Sequence, residues 1–183
     1  MPKKINARLL LVPATALFIL QGCGNPYQNG KNEKSAVQQT QKITLIEPCH
    51  LVTQQDAEKI LGEPVKEAVR TEKPIVGLKL CMYNPVREQS ASFLQITLTQ
   101  NSFMLPDGTT SASIYNRIKK NFDGTRTDIS GLGDNAFIAT GKLYILKDSY
   151  YIMIAAGNTN REATRTILLE AGKTALDNLA GLK

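Results

Sequence analysis

Between Asn135 and Ala156 the chain packs three short runs of apolar and aromatic residues, NAFIAT, KLYILKD and SYYIMIAA. Gly141 marks the first link between them and Lys147-Asp148-Ser149 the second. A parallel connection needs a crossover of a dozen or more residues, so links this short join antiparallel neighbours. Earlier segments repeat the theme. ASFLQITLT alternates Leu94, Ile96 and Leu98 with Gln95, Thr97 and Thr99, the period of a strand with two unlike faces. In GLKLCMY, Leu78, Leu80 and Met82 share one face and Cys81 points to the other. With the Asn84-Pro85 turn between them, these two segments resemble a hairpin with a loose loop. VKEAV and, at the domain's start, ITLI before Pro48 and Cys49 also read as strands.

Three helices punctuate the strands. In LVTQQDAEKILGEPV, Thr53 is an N-cap with Asp56 three residues on, and Val52 can staple to Ala57. Ala57, Ile60 and Leu61 form the buried stripe, Gly62 ends the helix and Pro64 prevents its return. A second helix is expected from about Ser111 to Phe122, with Ile114, Tyr115, Ile118 and Phe122 as its core stripe. The third runs from about Asn160 to Leu179, with Thr159 and Glu162 as a capping box. Its core face is Ile167, Leu168, Ala171, Ala175 and Leu179, and Gly172 weakens it by ~1 kcal/mol while allowing close packing. The predicted class is α+β, an antiparallel sheet with helices packed on one face. The order of elements suggests two tandem α-β-β-β units and a C-terminal helix.

The amino terminus reads as an address. Lys3, Lys4 and Arg8 precede the 12-residue apolar run Leu9 to Leu20. A membrane-spanning helix needs roughly 20 residues, so a cleaved export signal over residues 1–22 fits better. Leu20, Gln21, Gly22 and Cys23 resemble the lipobox of bacterial lipoproteins: an aliphatic residue, a variable one, a small one and then cysteine. The resemblance implies diacylglycerol attached to Cys23 through a thioether, cleavage before Cys23 and acylation of the new amino terminus. The other reading, an ordinary signal with a free Cys23, leaves an exposed thiol outside the cytoplasm. Gly24 at the second mature position lacks the aspartate associated with inner-membrane retention, which favours the outer membrane in a Gram-negative cell. Residues 23–42 are rich in Asn, Gln, Gly and Lys, so they are expected to form a flexible tether with a span on the order of 25 Å. Residues 43–183 then form a single α+β periplasmic domain.

Assigning Cys23 to lipid leaves Cys49 and Cys81 as an even pair in an oxidising compartment, where a disulfide is the natural outcome. Closing that loop is worth roughly 3.5 kcal/mol in the chain-entropy model. A zinc site needs four ligands, and two thiols with the single histidine, His50, supply too few.

Charge excludes little else. The first 22 residues hold three of the 22 basic residues and no acid, so the rest carries 19 bases against 16 acids. The bases are scattered, and the one tight group, Arg117, Lys119 and Lys120, reads as a wet helix face rather than a nucleic-acid stripe. The Gly131–Asp134 stretch, GLGD, is followed by a strand and lacks the Lys-Ser/Thr of a phosphate loop, so it reads as a turn. His50 beside an oxidised Cys49 on an extended segment makes no Cys-His pair, and no catalytic triad is possible without it. Tyr144 and Tyr151 have the parity to share a sheet face across the last hairpin. They pack in the core or form an interaction surface, a role tyrosine suits.

PCHLVTQQDAEKILGEPV, CMYNP and DISGLGDNAFIATGKLYILKDSYYIMI together are similar to a family of uncharacterised bacterial lipoproteins. Its pattern is a Cys, then Leu-Thr, then a short helix ending Leu-Gly-x-Pro, with a second Cys before an aromatic residue and a Gly-Leu-Gly-Asp stretch before the late strands. The resemblance covers about Pro48 to Gly157, and Tyr83 stands where Trp is more usual. It implies a Cys49–Cys81 pairing and an envelope location, and no activity. The expected function is therefore a non-enzymatic, membrane-anchored envelope lipoprotein. It would be held to the bilayer through acylated Cys23, bind another envelope component, and use no cofactor, metal or nucleic acid. The alternatives are a small-molecule or lipid carrier with a pocket between sheet and helices, and a hydrolase working through carboxylates or a lone serine.

Overall fold

A computed structural model describes residues 45–106, 108–157 and 161–183. The signal segment, Cys23, the tether and the Thr159 cap lie outside the described residues.

The described residues form a seven-stranded antiparallel sheet and four α-helices. Helix α1 (Pro48–Leu51) is a single turn with Pro48 at its start. The expected extended segment at Cys49 and His50 is thus helical, because Pro48 supplies the φ a first helical turn needs. Helix α2 (Gln54–Leu61) is closed as its sequence predicts. The Asp56 main-chain N–H donates to the Thr53 hydroxyl at 3.2 Å, and the Thr53 N–H donates to the Asp56 carboxylate at 3.0 Å. Gly62 then turns left-handed with φ 70°. Strand β1 (Val69–Lys73) begins later than VKEAV suggests, since Val65 forms only an isolated bridge with Pro85. β2 (Leu78–Tyr83) and β3 (Leu94–Gln100) follow as expected.

Helix α3 (Ser111–Asn121) has a capping box of Thr110 and Ser113. After it come β4 (Thr127–Ile129), β5 (Asn135–Ala139), β6 (Lys142–Lys147) and β7 (Tyr150–Ala155). The chain closes on α4 (Glu162–Leu182). The strand order is β1-β2-β3-β7-β6-β5-β4, so β3 and β7 join two meanders at mid-sheet. The second meander has four strands, the short β4 being additional to the α-β-β-β order.

Register assigns the faces. Cys81, Ile96 and Ile154 lie side by side on one face, and Leu80, Thr97, Met153 and Tyr144 on the other. Helices α1, α2 and α4 cover the first face. Leu51, Ala57, Leu168, Ala171, Ala175 and Leu179 pack there against Leu94, Ile96, Leu143, Ile145, Ile152 and Ile154. Each leucine and isoleucine among them contributes about 1.5–3 kcal/mol by leaving water. Gly172 lets α4 settle closely: a Cβ there would stand 2.7 Å from Leu143 Cδ2.

The expected arrangement, helices on one face, holds for these three. It is corrected for α3, which lies on the opposite face over β6 and β7, where Tyr115 packs with Phe137, Ala139, Tyr144 and Tyr151. The cause is that β5, β6 and β7 are apolar on both faces, and a strand of that kind must be covered twice. Because α2 and α3 lie on opposite faces, no rotation that exchanges the antiparallel β3 and β7 superposes the two meanders with their helices.

Candidate functional site

A concavity lined by charged residues lies where α1 meets the β1–β2 corner. Its position follows from the Cys49–Cys81 disulfide, which fixes α1 on β2 with the two Cα atoms 5.3 Å apart. Glu47, Cys49 and His50 form one wall, Arg70, Thr71 and Glu72 of β1 the other, and Lys79 and Leu80 the floor, around a cleft of about 320 Å³.

Lys79 organises the charge. Its ammonium donates to the Glu47 carboxylate, lies 3.6 Å from that of Glu72, and stands 4.8 Å from the centre of the Phe103 ring. The hydrogen bond to Glu47 raises the Lys79 pKa, burial opposes it, and the charges of Glu47 and Glu72 raise it further. A buried cation with two carboxylates stays protonated and is no nucleophile. Arg70 Nε donates to Cys49 Sγ at 3.4 Å, and His50 is exposed at the end of α1. Two cations and two carboxylates balance, and the sulfurs are oxidised.

Strand β1 borders this cleft and is the edge of the sheet, all five of its residues being exposed. Its pairing with β2 is continuous from Val69 to Lys73 and it contains no proline. Its outer main-chain N–H and C=O groups therefore form a straight template for another strand. The charges of Arg70, Glu72 and Lys73 discourage indiscriminate pairing.

The structure places the residues singled out from sequence as follows. Tyr144 and Tyr151 do share a face, but they are 4% and 6% exposed beneath α3. Of the two readings, core packing is the one their burial supports, and the interaction surface is corrected. The Tyr144 ring stacks on Phe137 at 4.6 Å and Tyr151 meets Tyr115 edge-on at 5.7 Å, and burial pushes the Tyr151 hydroxyl pKa far upward. GLGD is a turn before β5, with Gly131 at φ 74° and Gly133 at φ 65°. Its Asp134 carboxylate accepts hydrogen bonds from the Lys147 ammonium at 2.8 Å and from the Asp148 main chain, pinning the β6–β7 turn. In the basic group, Arg117 and Lys120 are exposed, while Lys119 is engaged by Asn135 and Asp128. Cys23 lies outside the described residues.

Sequence reasoning missed Glu47, Arg70 and Lys79. The available signal was parity: Lys79 shares its strand face with Cys81 and Tyr83, so a disulfide at Cys81 drags a lysine into the same buried row.

Among the described residues, no group of three or more His, Cys, Asp or Glu side chains could hold a metal ion, and no helix is long and apolar enough to cross a membrane. Comparison with protein-family models, with curated proteins and with solved structures finds no match for the chain.

Proposed function

We propose that this chain is a lipid-anchored bacterial envelope protein whose domain is a non-enzymatic interaction module, with the β1 edge and its adjoining cleft as the docking site for an extended segment of an envelope protein. The open edge of β1 beside a charge-balanced cleft carries this reading. Strand addition draws affinity from main-chain hydrogen bonds and specificity from flanking side chains. Here Arg70 and Glu72 on the cleft face favour a partner strand with opposite charges at alternate positions. The anchor rests on the lipobox resemblance at Leu20–Cys23 and on the polar stretch that follows it. The space a carrier would need between sheet and helices is occupied by fully buried Leu51, Leu94, Ile96, Leu143, Ile152 and Leu168, which supports an interaction module over a carrier.

The test is in-cell photocrosslinking of the full chain. A photoreactive residue at Thr71 is expected to capture a discrete envelope protein. The same residue at Glu170, exposed on α4, is expected to capture none. Equal adducts at both positions, or none at Thr71, would remove the docking site.

A further inference from the structure

The end of the sheet where the chain enters the domain is apolar. Ile75 is 74% exposed, Leu105 53%, Val76 41% and Leu45 40%. Local bonding brings these four residues together. Leu45 precedes Ile46, whose main chain is held on both sides by the Gln100 side chain, at 3.0 and 2.8 Å. The Gln100 N–H donates to the Gly77 carbonyl at 3.0 Å, one residue beyond Val76. Gly77 in turn lies against Met104, the neighbour of Leu105: a Cβ at Gly77 would fall 2.3 Å from Met104 Cγ. The β1–β2 tip, the segment after β3 and the first described residue of the domain thus form one surface.

That surface is unusual for an edge tip. Ile75 and Val76 sit in a 3-10 turn, Pro74–Val76, closed by left-handed Gly77 at φ 62°. A turn with no functional demand on it is expected to carry polar residues. Lys73 is exposed beside the turn, and other charges on the same end of the sheet are paired. Lys147 pairs with Asp134 at 2.8 Å, and Lys183 with Asp148. The surface offers aliphatic groups and little net charge.

The geometry points to a lipid bilayer as the occupant: we infer that this tip dips into the membrane interface while the lipid at Cys23 holds the chain there. The inference rests on the lipid-anchor reading. Leu45 is 22 residues beyond Cys23. Ile46, next to Leu45, is bonded to Gln100 at this end of the sheet, so the anchored segment joins the domain beside the tip. An anchored domain needs only weak contacts, since tethering holds the local bilayer concentration high. Burying a few aliphatic side chains at the interface suffices to orient it. Docking at the tip fixes the long axis of the sheet relative to the membrane and leaves the outer edge of β1 approachable from the side.

The chain contains no tryptophan, so Ile75→Trp creates a single reporter in the tip. Val86→Trp makes the matching control beyond the other end of β2, roughly 20 Å away by strand rise; Val86 is 54% exposed. Both full-length variants are purified from membranes, their mature mass is measured, and they are placed in vesicles of phosphatidylethanolamine and phosphatidylglycerol with and without brominated acyl chains. The expected result is a lipidated mass, with emission at position 75 shifted to shorter wavelength and quenched several-fold more than at position 86. Omitting phosphatidylglycerol is expected to leave the quenching unchanged, because the contact is apolar. A lipidated chain with no quenching at 75, or with equal quenching at both sites, overturns the docking and leaves the anchor standing. Loss of quenching without phosphatidylglycerol overturns an apolar contact. Shielding at 75 that depends on protein concentration and not on vesicles assigns the tip to a second copy and also overturns it. A mass without lipid removes the anchor and the docking together.

Discussion

Helix α4 contains two glycines whose replacement by alanine should act in opposite directions. In an exposed helix interior the change stabilises by ~1 kcal/mol, because alanine loses less backbone entropy. Gly181 meets nothing within 4 Å at its Cβ position, so Gly181→Ala should gain part of that amount, reduced by fraying at the helix end. At Gly172 the new Cβ would stand 2.7 Å from Leu143 Cδ2, 3.2 Å from Ile145 Cδ1 and 3.2 Å from Leu132 Cδ2. Carbon atoms settle at about 3.5–4.0 Å, so Leu143 must retreat or α4 must lift by close to ~1 Å. Leu143 and Ile145 are completely buried and have no solvent to move into. Overpacking of this kind costs ~1–3 kcal/mol. Set against the propensity gain, Gly172→Ala is expected to lose up to ~2 kcal/mol, or several degrees in Tm for a domain of about 140 residues. The assay is urea unfolding of residues 24–183 followed by circular dichroism, with unchanged slope and a shifted midpoint. Leu143→Val withdraws the nearest methyl, so the double variant should lose less than the sum of the single losses. If Gly172→Ala is stabilised as much as Gly181→Ala, α4 does not rest on the sheet at the described spacing and the packing argument is wrong.

Tyr144→Ser and Tyr151→Ser each remove a ring from the core beneath α3, and each should cost about 3–5 kcal/mol, the range for deleting a buried aromatic. A melting temperature unchanged by either substitution would restore these tyrosines to the surface. Replacing Cys49 and Cys81 together by alanine should cost ~3.5 kcal/mol for a 32-residue separation, and the intact mass of the wild-type chain should lack the hydrogens of both thiols. A wild-type mass with both thiols free would refute the staple. For Asp56, partial burial raises the pKa, but hydrogen bonds from the Thr53 hydroxyl and main chain and from Asn178 outweigh it and the net shift is downward. Its folded pKa lies below its unfolded value of ~3.9, so its stabilisation is complete above that value and disappears as pH falls through the folded pKa. The stability deficit of Asp56→Asn should thus be full at neutral pH and shrink as pH falls below the unfolded value and through the folded one; a deficit that stays constant across this range would show the carboxylate charge is irrelevant.

Local chemistry made much of this fold legible. The Thr53–Asp56 box, the left-handed Gly62 and the apolar stripe at Ala57 and Ile60 specify α2 within ten residues, and α2 forms where they put it. The alternation in LQITLT and the short links around Gly141 and Asp148 likewise prescribe antiparallel pairing. What went unread was tertiary. The runs FIA, LYIL and YYIMIA lack alternation, and that continuity is the mark of strands covered on both faces. Read that way, it places α3 on the far face and decides for the core at Tyr144 and Tyr151. The candidate cleft was hidden for a different reason. Glu47, Arg70 and Lys79 are ordinary charges in sequence, and they converge only because β1 pairs with β2 and the disulfide draws α1 onto the same corner.

The same asymmetry explains where the functional features fall. Helix α3 covers β6 and β7 on its face, while β2 presents Leu78, Leu80 and Met82 only half-buried on that face, and β1 is exposed throughout. The first meander therefore buries less apolar surface and gains less from hydrophobic packing than the second. The covalent staple sits in this thinner half, joining α1 to β2. Lowering the entropy of the unfolded chain stabilises the meander without requiring another layer over it. Holding the corner through Cys49 and Cys81 instead leaves β1 and the Ile75–Leu105 tip, the proposed docking edge and membrane contact, exposed on an ordered scaffold.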